Sequence, residues 1–287
     1  MRFSFLIFTA VIASCAAVTH SLQRQAAERG QLCSLKNVKV DESSGVAVSR
    51  RARGIYWTHN DSGDGPNFFA FDSNGADLGT YTLKGVDAFD WEDMASARID
   101  RSPYLYLGDI GDNISQRKRV RVYRVPEPEA MPGSHAVTKF ETYILTYPDG
   151  AHNCETLLVT PNGDIQLVTK NDFGLSAVYE AKRPSGSGTY SMKKIGDLKI
   201  ESSNVYGHML TGGDISSDGD AVVLRTYMGA LLFRSKDMQA WFRATPTPIT
   251  LTLERQGEAI CFDLANHRFL TTSEGSPCRV SFIKIPD

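Results

Sequence analysis

An acidic residue recurs five times along this chain, each time at the start of a short apolar run that is typical of a β-strand. The five acids are Glu42, Glu92, Glu155, Asp214 and Glu258. Each interval between them has the length of one small antiparallel sheet, and repeats of this size are typical of propellers, solenoids and arrays. The pattern therefore predicts similar sheets arranged about one axis, with an acid near that axis in every sheet.

The residues after each acid predict the other strands of a sheet. A turn and a second strand follow every acid, and the second strands lie at 54–61, 104–111, 164–171, 220–227 and 267–275. Third strands follow in every repeat, but the last repeat has no fourth strand, and the unassigned N-terminal strand at 35–42 fits that vacancy. Ring closure of this kind removes an open sheet edge.

We therefore predict an all-β fold, a β-propeller with five four-stranded blades closed by the N-terminal strand. Six blades would require a further hairpin in the long interval between Glu92 and Glu155. A β-sandwich is the alternative to a propeller, although it gives no reason for an acid at each repeat.

The N-terminus has the pattern of a secretory signal, with one arginine, an apolar stretch and then small residues. We predict a signal peptide at 1–17, a polar leader at 18–32 and a single propeller domain at 33–287. We therefore expect a secreted protein. In a bacterium it could instead be periplasmic or carry a lipid anchor on Cys15. No later stretch is apolar enough to span a membrane.

Four further cysteines, in an exported chain, predict one or two disulfides, with buried thiols as the alternative. They are Cys33, Cys154, Cys261 and Cys278. The net charge of −2 and the lack of a basic stripe argue against a nucleic-acid partner. We expect a monomer that takes a small-molecule or glycan substrate.

Antiparallel geometry places the start of each first strand beside the end of the second strand, so polar residues from all repeats converge on one face. Carboxylates packed together must take up protons or bind a cation, and Ca²⁺ suits many oxygen ligands in irregular geometry. The predicted metal ligands are Glu42, Glu92, Glu155, Asp214 and Glu258. In the alternative, these acids only accept hydrogen bonds from backbone amides.

The ends of the second strands supply the other candidate site residues. Asp61, Asp109 and Asp112 are candidate bases toward water, with His59 as a further candidate catalytic residue. Lys170, Arg225, Tyr227 and Trp91 are candidate substrate-binding residues. The two cations suit an anionic substrate or a developing negative charge, and salt bridges to the acids are the alternative role for them.

Several motifs resemble those of calcium-containing propellers. Residues 91–113, 154–159 and 257–262 resemble inner strands of the calcium-activated apyrases, which are five-bladed enzymes with a central Ca²⁺. Residues 42–49 and 58–61 are similar to the first blade of gluconolactonase- and paraoxonase-type lactonases, whose catalytic Ca²⁺ lies in the same mouth. Both resemblances imply a calcium-dependent hydrolase.

Three functions are compatible with this pattern. The first is a Ca²⁺-dependent hydrolase on a small anionic, ester or phosphate substrate. The second is a glycosidase that uses a pair of carboxylates in the channel mouth. The third is a non-catalytic binding or matrix propeller with structural calcium; the unlike strand ends favour one asymmetric site over repeated ones.

Overall fold

The computed structural model describes residues 28–252, 254 and 256–286. The predicted signal peptide at 1–17 lies outside these residues. The regular structure of the described chain consists of five β-sheets, and two short 3-10 helices at Val205–Gly207 and Trp241–Arg243 lie in loops. None of the helices in these ranges is long and apolar enough to cross a membrane.

The strands are numbered in chain order. The first ten are β1 (Arg29–Ser34), β2 (Ser43–Val48), β3 (Ile55–Asn60), β4 (Asn67–Asp72), β5 (Asp77–Leu83), β6 (Trp91–Ile99), β7 (Ser102–Asp109), β8 (Val120–Pro126), β9 (Ser134–Val137) and β10 (Glu141–Thr146). The next five are β11 (Cys154–Val159), β12 (Ile165–Thr169), β13 (Leu175–Ala181), β14 (Gly188–Ser191) and β15 (Lys193–Lys199). The last seven are β16 (Leu210–Ile215), β17 (Ala221–Thr226), β18 (Gly229–Arg234), β19 (Thr247–Ile249), β20 (Gly257–Phe262), β21 (Arg268–Ser273) and β22 (Arg279–Lys284).

The sheets form the five blades of a propeller, as the sequence predicts. Strands β2, β6, β11, β16 and β20 are the inner strands, and each contacts the inner strands of the neighbouring blades in a closed ring. Antiparallel hairpins continue each blade outward from its inner strand. Strands β9 and β14 add a parallel outer strand to the first and second blades. The long interval after Glu92 thus holds outer strands and no sixth blade.

Ring closure differs from the prediction in its position. The N-terminal strand that completes the fifth blade is β1, at Arg29–Ser34, paired antiparallel with β22. The predicted segment 35–42 instead forms the connection into the first blade. The closing strand therefore begins inside the segment predicted to be a polar leader, because its alternating exposed and half-buried residues have the pattern of an edge strand rather than a core strand.

Burial patterns distinguish the inner strands from the outer strands. All six residues of β2, β11, β16 and β20 are buried, since blades pack against both of their faces. The outer strand β5 alternates between buried and more exposed side chains, because only one of its faces meets the core. Tight turns join inner to second strands, with Gly163 and Gly219 at positive φ of 86° and 74°.

The four cysteines are buried free thiols in the described structure, so the predicted disulfides are not formed there. Cys33, Cys261 and Cys278 belong to one core cluster between the first and fifth blades, and Cys154 lies in another. Burial in an apolar core raises the pKa of each thiol, which keeps these side chains in the neutral form that packs like a small hydrophobic residue.

Candidate functional site

Each inner strand carries a β-bulge at its start, and the bulges define the equivalent positions of the five blades. In every blade, two residues of the inner strand pair with consecutive residues of the second strand, and one unpaired residue of the inner strand lies between them. The inserted residues are Ser44, Glu92, Glu155, Thr211 and Glu258. The repeated position is therefore acidic in three blades and carries a hydroxyl in the other two.

The two hydroxyl residues at this position tie neighbouring blades together. Ser44 donates a hydrogen bond to the carbonyl oxygen of Glu92 at 2.6 Å, and Thr211 donates to that of Glu258 at 2.9 Å. Each bond thus links the bulge of one blade to the bulge of the next. Hydroxyl groups at these two bulges stabilise the ring, whereas the three glutamates are free to direct carboxylates toward the mouth.

This register places Glu42 and Asp214 away from the repeated position. Glu42 is exposed in the loop before β2, where its backbone carbonyl accepts a hydrogen bond from the Asp61 amide. Asp214 lies three residues beyond Thr211, and its carboxylate accepts hydrogen bonds from the amides of Ile215 and Phe262 at 2.8 and 2.9 Å. Asp214 thus has the backbone-bonding role that was the alternative to metal binding.

A cluster of three carboxylates lies at the mouth between the first and second blades. Asp61, Asp90 and Glu92 each offer a carboxylate oxygen, and these oxygens lie within 4.8 Å of one another. Asp61 directly follows β3, Glu92 occupies the bulge of β6, and Asp90 is held by the amides of Ile110 and Gly111, which donate to its backbone carbonyl at 3.1 and 3.2 Å. Asp90 was not among the residues predicted from the sequence.

Burial and mutual repulsion act together on this cluster. Burial, followed by the charge of Asp61, raises the pKa of Asp90 to about 6. The pKa of Glu92 is raised well above its usual value by burial and then by Glu155 and Asp61. Three carboxylates this close oppose one another's ionisation, and either protons or a bound cation would relieve the repulsion.

Gly111 forms the floor of this cluster. A Cβ atom on Gly111 would lie 2.2 Å from Oε1 of Glu92 and 2.4 Å from Oδ2 of Asp90. Both distances are shorter than any real contact, so only glycine allows the two carboxylates to approach one another at this point. The absence of a side chain on Gly111 therefore leaves the space that the carboxylate oxygens of Glu92 and Asp90 occupy.

The third blade contributes an ion pair to the same mouth. Nζ of Lys170 lies 2.7 Å from both carboxylate oxygens of Glu155, and it donates a third hydrogen bond to the Tyr227 hydroxyl at 3.1 Å. Although burial opposes its charge, the Glu155 carboxylate raises the pKa of Lys170, which stays protonated. Glu155 is thus neutralised by a lysine, in the salt bridge that was the alternative role for this cation.

Glu258, at the bulge of the fifth blade, has a different environment. Its pKa is raised to about 8, first by burial and then by the negative charge of Glu155. Lys170 and Arg225 act in the opposite direction but do not offset these effects. Glu258 therefore holds a proton at neutral pH, beside a glutamate that is ionised in its ion pair.

The remaining predicted residues from the second blade are engaged in structural contacts. Asp109 forms a salt bridge of 2.6 Å with Arg117, and Asp112 accepts a hydrogen bond from the backbone amide of Arg117 at 2.6 Å. Together they fix the loop that follows β7. Trp91 is almost fully buried and packs edge-on against His59, so it contributes to the core and does not line the mouth.

His59 and Arg225 are also buried between blades. Nδ1 of His59 lies 2.8 Å from the carbonyl oxygen of Asn60, and burial lowers the pKa of the imidazole. Arg225 donates to the carbonyl oxygens of Ala259 and Thr272 and pairs with Glu254. Its guanidinium lies where Gly257 has no side chain, which joins the fourth and fifth blades.

Asp93 is a second residue that was not predicted from the sequence. It is fully buried, and its carboxylate accepts hydrogen bonds from the amides of Met94, Leu157 and Gly213 at 2.8, 2.9 and 3.2 Å. These amides belong to three different inner strands, so one side chain connects three blades near the axis. The sequence feature that could have predicted this role is the position of Asp93, an acid that directly follows Glu92 in a strand.

Comparisons with known proteins show a shared fold without a shared sequence family. No protein-family model matches the chain, and no curated protein matches it. A PQQ-bound aldose sugar dehydrogenase from Streptomyces coelicolor is similar in structure, with a TM-score of 0.50 and 10% sequence identity over 89% of this chain and 96% of its own.

Two further solved structures are similar at lower scores. A gluconolactonase from Xanthomonas campestris has a TM-score of 0.46 and 13% identity, covering 85% of this chain and 72% of its own. The WD40 repeats of RRP9 have a TM-score of 0.42 and 11% identity, covering 85% and 67%. None of the three is an apyrase, and the apyrase-like pattern gains no support from them. What the similarity to the dehydrogenase shows is the β-propeller fold.

Proposed function

We propose that this protein binds Ca²⁺ through Asp61, Asp90 and Glu92 and acts as a metal-dependent hydrolase on a small anionic, ester or phosphate substrate. The observation that carries the proposal is the convergence of these three carboxylates within 4.8 Å at one mouth of the ring. The proposed ligand set keeps only Glu92 of the five acids predicted from sequence. Glu155 is paired with Lys170, the bulges place Glu42 and Asp214 elsewhere, and Glu258 does not belong to the group of carboxylates that meet within 4.8 Å.

The residues of the cluster fit a hard cation. All three donors are carboxylate oxygens, which is the donor type that Ca²⁺ prefers, and neither sulfur nor imidazole belongs to the cluster. Gly111 leaves the space that these oxygens occupy. The raised pKa of Asp90 and Glu92 supports a cation as well, since a divalent charge would remove the repulsion that disfavours their ionised forms.

A calcium ion bound to this cluster would supply a Lewis acid that polarises a substrate oxygen. Lys170 contributes a fixed positive charge beside the cluster, which suits an anionic substrate or the negative charge that develops during hydrolysis. Glu258 keeps a proton at neutral pH and is therefore suited to donate it to a leaving group. Of the three candidate bases, Asp61 lies in the cluster, where it would hold the calcium ion, and Asp109 and Asp112 are held by Arg117.

A glycosidase is the second candidate, and one observation favours it. The charge of Glu155 raises the pKa of Glu258, which keeps its proton at neutral pH, whereas Lys170 favours the ionised form of Glu155 although burial raises the pKa of that glutamate. Two carboxyl groups with such different protonation are what acid–base cleavage of a glycosidic bond requires. The salt bridge from Lys170 to Glu155 would have to open before Glu155 could act on a sugar.

The experiment that tests the proposal is a hydrolysis screen after calcium removal with EGTA, with and without restored Ca²⁺. Substrates include lactones, aryl esters, nucleoside diphosphates and aryl glycosides. We expect calcium-dependent hydrolysis that falls at least about 100-fold in Asp90→Asn and Glu92→Gln. Glu42→Gln is the matched control, because this exposed acid lies outside the cluster, and it should retain full activity.

Three results would overturn the proposal. Hydrolysis that persists at the same rate in EGTA, or in Asp90→Asn, would exclude the cluster as the catalytic centre. Calcium binding without hydrolysis of any substrate would instead identify a structural ion in a binding propeller. Cleavage of aryl glycosides alone, independent of Ca²⁺ and lost in Glu258→Gln, would support the glycosidase.

A further inference from the structure

Exposed apolar side chains are concentrated beside the Lys170 end of the mouth. Five of them lie on three loops of the third and fourth blades, on the face where the inner strands begin. They are Phe173, Leu175, Val205, Tyr206 and Met228, and Phe173 is 82% exposed. We call this group the apolar shelf. Exposed apolar side chains grouped beside a polar site are typical of a ligand-binding surface.

The three loops of the shelf are joined to one another. The amide of Ile200 donates to the carbonyl oxygen of Gly174 at 2.8 Å, and Nδ1 of His208 lies 3.2 Å from the carbonyl oxygen of Asp172. A side chain on Gly174, whose φ is +72°, would collide with the carbonyl oxygen of Ile200. These bonds hold the first two loops in a fixed relative position, so this part of the shelf is preorganised.

Tyr206 connects the second loop to the third. It lies in the short 3-10 helix that Asn204 caps by accepting the Tyr206 amide at 2.9 Å. Its ring stands at 80° to the ring of Tyr227, with 6.1 Å between the ring centroids. Because the two rings meet edge to face, Tyr206 is still 56% exposed and can pack against a further apolar group.

Tyr227 is also the point where the shelf meets the charged mouth. Its hydroxyl accepts the hydrogen bond from Lys170, and Nζ of Lys170 lies 4.9 Å from the centre of its ring. The hydroxyl group of Tyr227 thus contacts the ion pair of Lys170 and Glu155, and its ring contacts Tyr206 of the shelf. A ligand that spans this boundary would need an anionic or oxygen-rich head and an apolar body.

We infer that the substrate is amphipathic: its acyl or phosphoryl end lies at the carboxylate cluster and Lys170, and an aryl or alkyl group packs on the shelf over Tyr206 and Met228. The inference rests on the proposed function for the position of the reactive end. It adds that unsubstituted sugar lactones and other fully polar substrates would leave the shelf uncovered, and that aryl or alkyl esters, lactones or phosphates are the preferred class.

Phosphonates, which this chemistry does not hydrolyse, test the inference without turnover. We propose to measure the affinities of phenylphosphonate and methylphosphonate by isothermal titration calorimetry in the presence of Ca²⁺. The two have the same head, so a shelf that covers the ring should make phenylphosphonate bind about tenfold tighter. The Tyr206→Ala/Met228→Ser variant should lose this preference and keep its affinity for methylphosphonate. Leu264→Ala, which removes an exposed apolar side chain on the opposite face, is the control.

The inference is overturned if the two phosphonates bind equally to the native protein, if neither binds, or if the preference persists in the double variant. It is also overturned if the shelf variants abolish binding to lipid vesicles or self-association while no ring preference exists, because the shelf would then be a docking surface. Circular dichroism of each variant verifies folding. No step of this experiment requires hydrolysis. Equal binding of the two phosphonates would therefore not contradict the hydrolase proposal, and a lack of hydrolytic activity would not change the preference for phenylphosphonate.

Discussion

Lys170 and Glu155 form a buried ion pair at the mouth, with Nζ of the lysine 2.7 Å from both carboxylate oxygens of the glutamate. Both side chains are less than a tenth exposed. The pair separates two parts of the mouth: the carboxylate cluster of Asp61, Asp90 and Glu92 on one side and the aromatic body of Tyr227 on the other. It also explains why Glu155, although it occupies the repeated bulge position, is absent from the proposed calcium ligands.

Removing the lysine from this pair should destabilise the protein. Lys170→Met leaves the Glu155 carboxylate buried without its counter-charge, and we expect a loss of about 3 kcal/mol in the free energy of unfolding. Urea denaturation at pH 7 measures the loss. In Lys170→Met/Glu155→Gln the unpaired charge is absent, so most of the stability should return. A double variant that is as unstable as the single one would show that packing, and not charge, is responsible.

Gly111→Ala should abolish calcium binding. The added methyl carbon would lie 2.2 Å from the nearest Glu92 oxygen, so the carboxylates would have to move apart. We expect the calcium affinity to fall at least about 100-fold, measured by calorimetry on protein freed of metal. Gly188→Ala is the control, because its new methyl group would meet its nearest neighbour at an ordinary 3.6 Å. Equal affinities in the two variants would place the cation elsewhere.

Glu258 should make the metal-free protein less stable as the pH rises. Burial raises its pKa to about 8, whereas the unfolded glutamate titrates near 4.5. The folded state therefore holds the proton more tightly, and the resulting stability is fully present below pH 4.5 and is lost as the pH rises through 8. Glu258→Gln cannot lose this proton, so between about pH 5 and pH 9 the Tm in EGTA should fall by about 10 °C less in this variant than in the native protein. Parallel Tm curves would contradict the assignment.

Asp93 should contribute more to stability than any surface acid. Its carboxylate accepts hydrogen bonds from amides of three inner strands, and Asp93→Ala would leave all three amides buried without an acceptor. We expect a loss of about 4 kcal/mol in the free energy of unfolding, measured by urea denaturation. Glu129→Ala, at an exposed acid, should change stability by less than about 0.5 kcal/mol. If Asp93→Ala is no worse than this control, the carboxylate does not hold the blades together.

The fold was largely predictable, because blade architecture depends on local patterns. Apolar strands and polar turns recur in every blade, and they predicted five blades and closure by the N-terminal strand. The position of that closing strand was not predictable. Strand β1 lies at a sheet edge, and its single buried residue does not distinguish it from the strand-like segment at 35–42, which the structure places in a connection.

The site was predictable only in part, because the spacing of acids along the chain does not identify the residue that occupies the bulge of each inner strand. Spacing alone grouped Glu42 and Asp214 with the three bulge glutamates, although the equivalent residues are Ser44 and Thr211. Asp90 was missed because it precedes β6 in a loop that is positioned by backbone bonds to Ile110 and Gly111 and by the Asp109 carboxylate. Such non-local convergence depends on the closed ring.

Calorimetric titration of Ca²⁺ into metal-free protein at about pH 6.5 tests the central claim most directly. We predict one ion per chain, with proton release that reflects the raised pKa values of Asp90 and Glu92. Binding should be lost in Asp90→Asn and unchanged in Glu42→Gln. No heat of binding to the native protein, or equal binding to Asp90→Asn, would contradict a calcium site at Asp61, Asp90 and Glu92.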